Sequence, residues 1–287
     1  MSHNNLQKEI PAQVLGVAAT LIAAGFEAYF VGGCVRDLIL HKKPRDWDIT
    51  TNATPEQIQG IFPHTFYENT YGTVGVVLEE GDNQVDESIK VIEITPYRKE
   101  GVYSDKRRPD NVSFSKDIKD DLRRRDFTIN AIAFDPFKGQ IIDLYEGDKD
   151  LKDKIIRTVG EPGDRFTEDA LRILRSIRLA CELDFTIDTK TEKALVENSA
   201  LLSHISKERI RDEFIRIIMS DNPKRGMELA QKYGVLDYFS PEFKKAIGVE
   251  QGGIHQYDVW EHLLRSLQLT ADKGWPLDLR IASLLHD

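Results

Sequence analysis

Asp46 and Asp48 stand on either side of Trp47, shortly after the glycine pair Gly32–Gly33. On an extended backbone, residues two apart project from one face, so the two carboxylates point one way and Trp47 the other. Two carboxylates held like that can bind a pair of divalent ions, the usual device for phosphoryl or nucleotidyl transfer. The glycines separate an apolar strand-like run, Ala28–Val31, from a helix-like one, Val35–Leu40. Glycine lets backbone N–H groups approach a phosphate, and a following helix start adds the positive end of its dipole. A solvated turn is the plain alternative, since aspartate is common where loops meet strands. The glycine pair and Arg36–Asp37 upstream favour the chemical reading. Mg²⁺ is the expected ion, being hard and suited to oxygen ligands plus phosphate. Glu93 is either a third carboxylate from a neighbouring strand or a solvent-facing strand residue.

A second constellation runs from Asp121 through Arg123, Arg124 and Arg125 to Asp126 and Asn130. The arginine triplet alone would read as a solvated charge run. Here it leads into Asp126 and Asn130, four apart and stacked if helical. Those groups suit a ribose hydroxyl, with Arg125 reaching phosphate. The third constellation is Glu168-Asp-Ala-Leu-Arg172, with Arg175 and Arg178 continuing at intervals of three. A basic, salt-bridged outer face is the bland reading, Glu168 and Arg172 pairing at four apart. The chemical reading is that Asp169 accepts a proton from an exocyclic amino group while Arg172 only donates. That pattern fits the pairing edges of cytosine and adenine and rejects those of uracil and guanine.

The elements that must position these residues are mixed up to about residue 155. Thr54-Pro55-Glu56-Gln57 reads as a helix start with a capping box, and Thr73–Glu79 and Ile89–Thr95 read as strands joined by the polar segment 80–88. On the second strand Ile92 and Ile94 face away from Glu93. The stretch 97–125 is polar and rich in Lys and Arg, and reads as a mobile basic loop. From about residue 160 the pattern is helical throughout. Thr167 is expected to cap one helix running to about Glu182, with Ala170, Ile173, Leu174, Ile177 and Cys181 on its apolar side. The expected domains are therefore 1–155, 156–225 and 226–287.

A chain of 287 residues exceeds one ordinary core. The net charge of −9 argues against a wholly basic nucleic-acid coat but permits a local basic groove. Two cysteines far apart, Cys34 and Cys181, point to a reducing compartment, and no run suits a signal peptide or a bilayer span. The expectation is a cytoplasmic protein without membrane contact. Its oligomeric state is not legible.

Taken together, these segments resemble the bacterial-type (class II) CCA-adding enzymes of the tRNA nucleotidyltransferase/poly(A) polymerase family, from Val31 to about Leu236. The resemblance implies an α+β head of polymerase-β type, then an all-α neck and part of a body. It implies that Gly32–Asp37 grips the triphosphate through Gly33 and Arg36, that Asp46 and Asp48 bind metal, and that Arg124–Asn130 contacts sugar and phosphate. Glu168–Arg172 would read the incoming base, with Arg175 and Arg178 nearby on the same helix. The implied reaction adds C and A from CTP and ATP to the tRNA 3′ end. Thr95–Pro109 resembles the flexible loop linked to switching from C to A, which favours full CCA addition or A-only addition. Tyr71-Gly-Thr-Val-Gly-Val76 follows the tRNA-specific pattern rather than that of poly(A) polymerases. Poly(A) polymerase remains the enzymatic alternative, and a non-catalytic tRNA-binding module the alternative of another class.

Gly252–His262, with His286–Asp287, resembles the start of an HD phosphohydrolase domain, and histidines with a carboxylate suit a transition metal. That pattern needs a further aspartate downstream. The chain thus reads as a fragment with an incomplete HD-type site, and a stand-alone metal site is not expected.

Overall fold

The computed structural model describes residues 6–67, 72–78, 89–101, 112–252 and 256–287. These form two compact units, one up to Asp153 and one from Lys154 to Asp287.

The first unit comprises α1 (Ala12–Ala23), β1 (Tyr29–Val31), α2 (Gly33–Ile39), β2 (Trp47–Thr51), α3 (Pro55–Ile61), β3 (Thr65–Tyr67), β4 (Val74–Val77), β5 (Val91–Pro96), β6 (Arg98–Glu100), β7 (Val112–Phe114), α4 (Ile118–Arg123), β8 (Ile132–Asp135), β9 (Gln140–Asp143) and α5 (Gly147–Asp153). Seven strands form one mixed sheet in the order β3-β4-β5-β2-β1-β8-β9. Only β2 and β5 pair in parallel within it. The capping box of α3 is made as expected: Gln57 N donates to Thr54 Oγ1 at 3.4 Å and Thr54 N to Gln57 Oε1 at 2.8 Å.

Register decides which face carries chemistry. Trp47 lies opposite Ile92 and Ile49 opposite Ile94, while Val74 and Val76 meet Ile94 and Ile92 from β4, and all of these side chains are buried. The side-chain period of two then sends Asp48 and Glu93 to the other face, where they are direct cross-strand partners. On that face Val31 and Ala133 are covered by Leu122 of α4, in a small cluster that Tyr29, Ile118 and Ile142 complete.

Within the expected loop 97–125, the described residues include regular elements. β6 and β7 pair antiparallel, Arg98 opposite Phe114, and α4 begins where Asp117 Oδ1 accepts from Lys119 N at 2.9 Å. The aspartate cap and the two apolar residues Ile118 and Leu122 carry this helix, a signal too short to stand out among the eight charged residues of Lys116–Arg125. Residues 102–111, within the segment compared with the C-to-A loop, lie outside the described residues, as do 79–88, Tyr71 and His255.

The second unit continues with β10 (Ile155–Ile156), α6 (Pro162–Glu168), α7 (Leu171–Leu183), β11 (Thr186–Ile187), α8 (Thr189–Asn198), α9 (Lys207–Ile218), α10 (Pro223–Lys232), α11 (Leu236–Phe239), α12 (Phe243–Ala246), α13 (Val259–Asp272) and α14 (Leu277–Leu284). Among its described residues it is helical apart from one short parallel ladder, β10 on β11, and an isolated antiparallel bridge between Glu250 and Asp258. A single hydrophobic cluster runs from Phe166 to Leu284, so the expected boundary near residue 225 falls inside a continuous core. The apolar side foreseen for residues 170–181 is buried at all five named positions.

The helix expected from Thr167 to Glu182 is two helices. Asp169 takes an extended conformation at the end of α6, and its Oδ1 accepts from Leu171 N at 3.1 Å to start α7. A short acidic side chain competes in this way for backbone donors and breaks the helix. Thr167 caps nothing: it sits in the last turn of α6, its hydroxyl donating to Gly163 O at 3.0 Å.

Candidate active site

The turn between β1 and α2 is the centre of the first unit's polar face. Gly32 has φ 81° and ψ −138°, a conformation that side chains with a Cβ rarely adopt. A methyl group there would also lie 3.1 Å from Arg125 Nη1 and 3.2 Å from Asp48 Oδ2. One on Gly33 would lie 3.5 Å from Arg36 Nη2 and 3.9 Å from Asp46 Oδ1. Both aspartates and two arginines thus converge on the glycine pair, although Arg125 is far away in sequence. Asp46 is exposed and Asp48 half-buried. Their donors are carboxylate oxygens only, which suits a hard divalent cation. Glu93 sits one strand over on the same face, in register with Asp48.

Each arginine is held by a carboxylate or amide. Arg36 Nε donates to Asp37 Oδ1 at 2.8 Å and its Nη1 to Asn130 Oδ1 at 2.9 Å. Asn130 Nδ2 donates in turn to Asp126 Oδ1 at 3.1 Å, so the expected four-apart stacking is present across a short 3-10 turn, Thr128–Asn130. Burial raises the Asp37 pKa, against the pull of Arg36. Arg125 Nη2 donates to Asp121 Oδ2 at 3.0 Å, and Arg124 Nε to Asp121 Oδ1 at 2.9 Å. Burial of Asp121 opposes its ionisation, but the two guanidiniums outweigh this and hold its pKa below the ordinary value. The sequence alone gives Asp121 no role. Nothing local distinguishes it from Asp120, which is only part-buried and pairs with Lys99. Cys34, beneath the turn, donates to Val31 O, and burial, with Asp48 nearby, pushes its thiol up to about 12. It is no nucleophile.

The second unit holds the remaining candidates. Asp169 receives Arg209 of α9 in a two-point contact, Nη1 to Oδ1 at 3.2 Å and Nη2 to Oδ2 at 2.7 Å. A carboxylate has about four acceptor positions, so this clamp orients Asp169 without exhausting it. Arg172 Nη1 donates to Glu168 Oε2 at 2.7 Å and to Arg165 O at 3.2 Å, and Glu168 also pairs with Arg165. The stripe Arg172, Arg175, Arg178 is not a solvated outer face. Arg172 and Arg178 are buried, Arg178 Nε lying 2.7 Å from Glu213 Oε2 and its Nη1 donating to Glu182 Oε2 at 3.0 Å. Arg175 stays half-exposed, 3.9 Å from Glu213. Arg209 and Glu213 were invisible to sequence reasoning because Lys207–Glu213 reads as an ordinary charged helix.

Farther along the second unit, His262, His286 and Asp287 bring their ligand atoms within 4.8 Å of one another. The two Nε2 atoms are 3.1 Å apart, and Asp287 Oδ2 lies 3.5 Å from His262 Nε2. His286 Nδ1 lies 2.8 Å from Ser283 O, a contact that fixes its proton on Nδ1 and turns the Nε2 lone pair toward the cluster. The three groups are close enough that they could hold a metal ion. His255 of the same pattern lies outside the described residues.

Comparison with known proteins agrees with both units. Residues 28–157 match the family model described as the poly A polymerase head domain, and residues 184–247 one described as a probable RNA and SrmB-binding site of polymerase A. The CCA-adding enzyme of Limosilactobacillus reuteri is 46% identical over 216 residues, 75% of this chain and 51% of that protein. That of Lactococcus lactis is 46% identical over 227 residues, 79% of this chain and 55% of that protein. The crystal structure of the Bacillus stearothermophilus CCA-adding enzyme in complex with CTP superposes with a TM-score of 0.72 at 34% identity, over 94% of this chain and 67% of that one. The chain spans about half the length of the curated relatives it matches.

Proposed function

The chain belongs to the tRNA nucleotidyltransferase/poly(A) polymerase family of CCA-adding enzymes, and from that premise we propose that it adds C and A from CTP and ATP to the 3′ end of tRNA. The observation that carries this reading is the glycine turn ringed by Asp46, Asp48, Arg36 and Arg125. The backbone of Gly32–Gly33 and the start of α2 receive the triphosphate. Arg36 and Arg125, pre-oriented by Asp37, Asn130 and Asp121, neutralise its charge without paying to reorganise. Asp46 and Asp48, with Glu93 in register, would hold Mg²⁺, which supplies Lewis-acid stabilisation of the phosphoryl oxygens when bound. By this assignment residues 1–155 are the catalytic head, and the helical unit that follows holds the base-reading and RNA-binding neck and, on the same core, a body that begins like an HD domain. No helix among the described residues is long and apolar enough to cross a membrane, and we place the protein in the cytoplasm with tRNA.

The test is incorporation into tRNA ending at its discriminator base, with Mg²⁺ and each labelled triphosphate alone and in pairs. CTP alone should add C, and A should follow only when CTP is present. A long run from ATP alone would identify the poly(A) polymerase alternative, and no incorporation at all a silent RNA-binding module.

Base choice is assigned to Asp169 and Arg172. Arg172→Ala should lower C and A addition together, whereas Asp169→Ala should relax discrimination against UTP. Each loss of one hydrogen-bonding partner corresponds to roughly 1–3 kcal/mol, about tenfold to a hundredfold in selectivity. Competition among the four triphosphates checks this, and wild-type preference in both variants would move base reading elsewhere.

A second reading concerns the histidine cluster. Two imidazole nitrogens and a carboxylate oxygen form a donor set for a transition metal such as Zn²⁺ or Mn²⁺ rather than Mg²⁺. Titration calorimetry with each ion should show one site fewer in His262→Ala than in the wild-type chain. Equal binding by both would overturn the assignment.

A further inference from the structure

On the sheet face that carries the carboxylates, one cross-strand row is continuous over four strands. Asp48 of β2 pairs with Glu93 of β5, Glu93 with Gly75 of β4, and Gly75 with Phe66 of β3. Paired residues in a sheet share a face, so all four positions point the same way. Gly75 leaves a gap in the row, and Phe66 fills it. The far edge of its ring (Cζ, Cε1 and Cε2) lies 2.4 to 2.9 Å from where a Cβ on Gly75 would be. The ring therefore reaches across β4 toward Glu93 instead of standing up from its own strand. Its edge ends roughly 5 Å, one strand spacing, from the Glu93 backbone and about 10 Å from that of Asp48.

Covering the glycine would account for the contact alone. It does not account for the outcome, because Phe66 stays 42% exposed in the row that also carries Glu93 and Asp48. The polar neighbours on this face, Thr50, Thr73 and Thr95, hydrogen-bond among themselves and to backbone, and Phe66 supplies the aromatic ring of the row that carries the carboxylates. An unpaired base at an RNA end is recognised by stacking on just such a ring, and its own ribose hydroxyl lies about one nucleotide's reach away.

We infer that Phe66, seated on Gly75, is the stacking platform for the unpaired 3′-terminal base of the RNA acceptor, which aligns that strand's hydroxyl with Asp48 and Glu93. The inference rests on the nucleotidyl-transfer reading and adds the acceptor's binding subsite to it. It also distinguishes two ligands on one face: the triphosphate belongs at the glycine turn after β1 and the acceptor base over β4, three strands away.

The probe is an RNA hairpin whose unpaired 3′ nucleotide is 2-aminopurine, mixed with the full chain without triphosphates. Stacking on Phe66 should quench its fluorescence. Phe66→Ala and Phe66→Leu should lose the quenching, Leu while keeping Gly75 covered, and Phe66→Trp should retain it. In steady-state addition, Phe66→Ala should raise the KM for the acceptor RNA about tenfold or more while leaving the KM for CTP unchanged. Wild-type quenching and acceptor KM in both the Ala and Leu variants would overturn the platform, as would an effect on the KM for CTP alone. A wild-type chain that quenches the probe through Phe66 but adds no nucleotide would sustain the platform and sink the transfer reading.

Discussion

Asp48→Ala is expected to abolish nucleotide addition while the chain folds and binds tRNA much as before, and Asp46→Ala to do the same. Asp48 is flanked in β2 by Trp47 and Ile49, both buried, and these hold the strand between β1 and β5. Its own side chain points to the opposite, polar face, so truncating it removes no core packing. What disappears is an oxygen ligand beside the glycine turn, at 3.2 Å from the Gly32 methyl position. Metal stabilisation of a phosphoryl transition state is worth several kcal/mol, so about 4 kcal/mol, or a thousandfold in rate, is a lower expectation. Initial rates at saturating Mg²⁺, circular dichroism and a tRNA gel shift together check it. Turnover near wild type in either variant would remove the carboxylates from the reaction, and loss of tRNA binding in both would recast them as structural. Asp48→Asn should fail almost as badly, because an amide keeps the volume but not the charge that a divalent ion requires.

Why these residues were legible, and others were not, follows from the range of the forces that place them. Gly32–Gly33, Asp46 and Asp48 lie within seventeen residues, and their roles come from backbone conformation and strand alternation, both local. The α3 capping box was readable for the same reason. Asp121, Arg209 and Glu213 act through partners that only tertiary structure supplies. Arg209 lies forty residues from the Asp169 it clamps, and Glu213 reaches Arg178 from a separate helix. The arginine stripe shows the cost of reading charge by periodicity alone. The bland alternative for it is a wet, salt-bridged face, yet Arg172 and Arg178 are buried, with Glu213 reaching in from α9 beside Glu168 and Glu182. The break at Asp169 was missed because the apolar period runs straight through it, although one carboxylate bonded to Leu171 N is enough to divide the helix. Gly75 stands in the Tyr71–Val76 pattern and Phe66 outside it, and nothing in the sequence joins the two, since their relation exists only once β3 and β4 are paired.

Glu213→Ala is expected to destabilise the helical unit by about 3–5 kcal/mol, the cost of leaving a buried charge without its partner. Glu213 and Arg178 are 6% and 2% exposed, so neither can turn to water when the other is removed. Burial pushes the Arg178 pKa down, and the carboxylates of Glu213 and Glu182 work against that push. Glu182 remains after the substitution, at 3.0 Å from Nη1, but the contact to Nε is lost. The charge stays, because a guanidinium does not give up its proton in the accessible pH range. Arg178→Ala should cost a similar amount by stranding Glu213 in the same buried site. Replacing both with residues of matching volume, Arg178→Met with Glu213→Leu, should restore much of the stability, since the pair's own attraction barely exceeds its desolvation. A fall in Tm of roughly 10 °C in Glu213→Ala, and its partial reversal in the double variant, would be read by calorimetry or urea titration. Were both single variants within about 1 kcal/mol of wild type, the network would be dispensable for folding, as an exposed ion pair is. The position of Arg209 on the same helix makes the outcome matter for chemistry as well. It clamps Asp169 from α9, so a helix loosened at Glu213 should also blur the choice between CTP and UTP, in proportion to the stability lost.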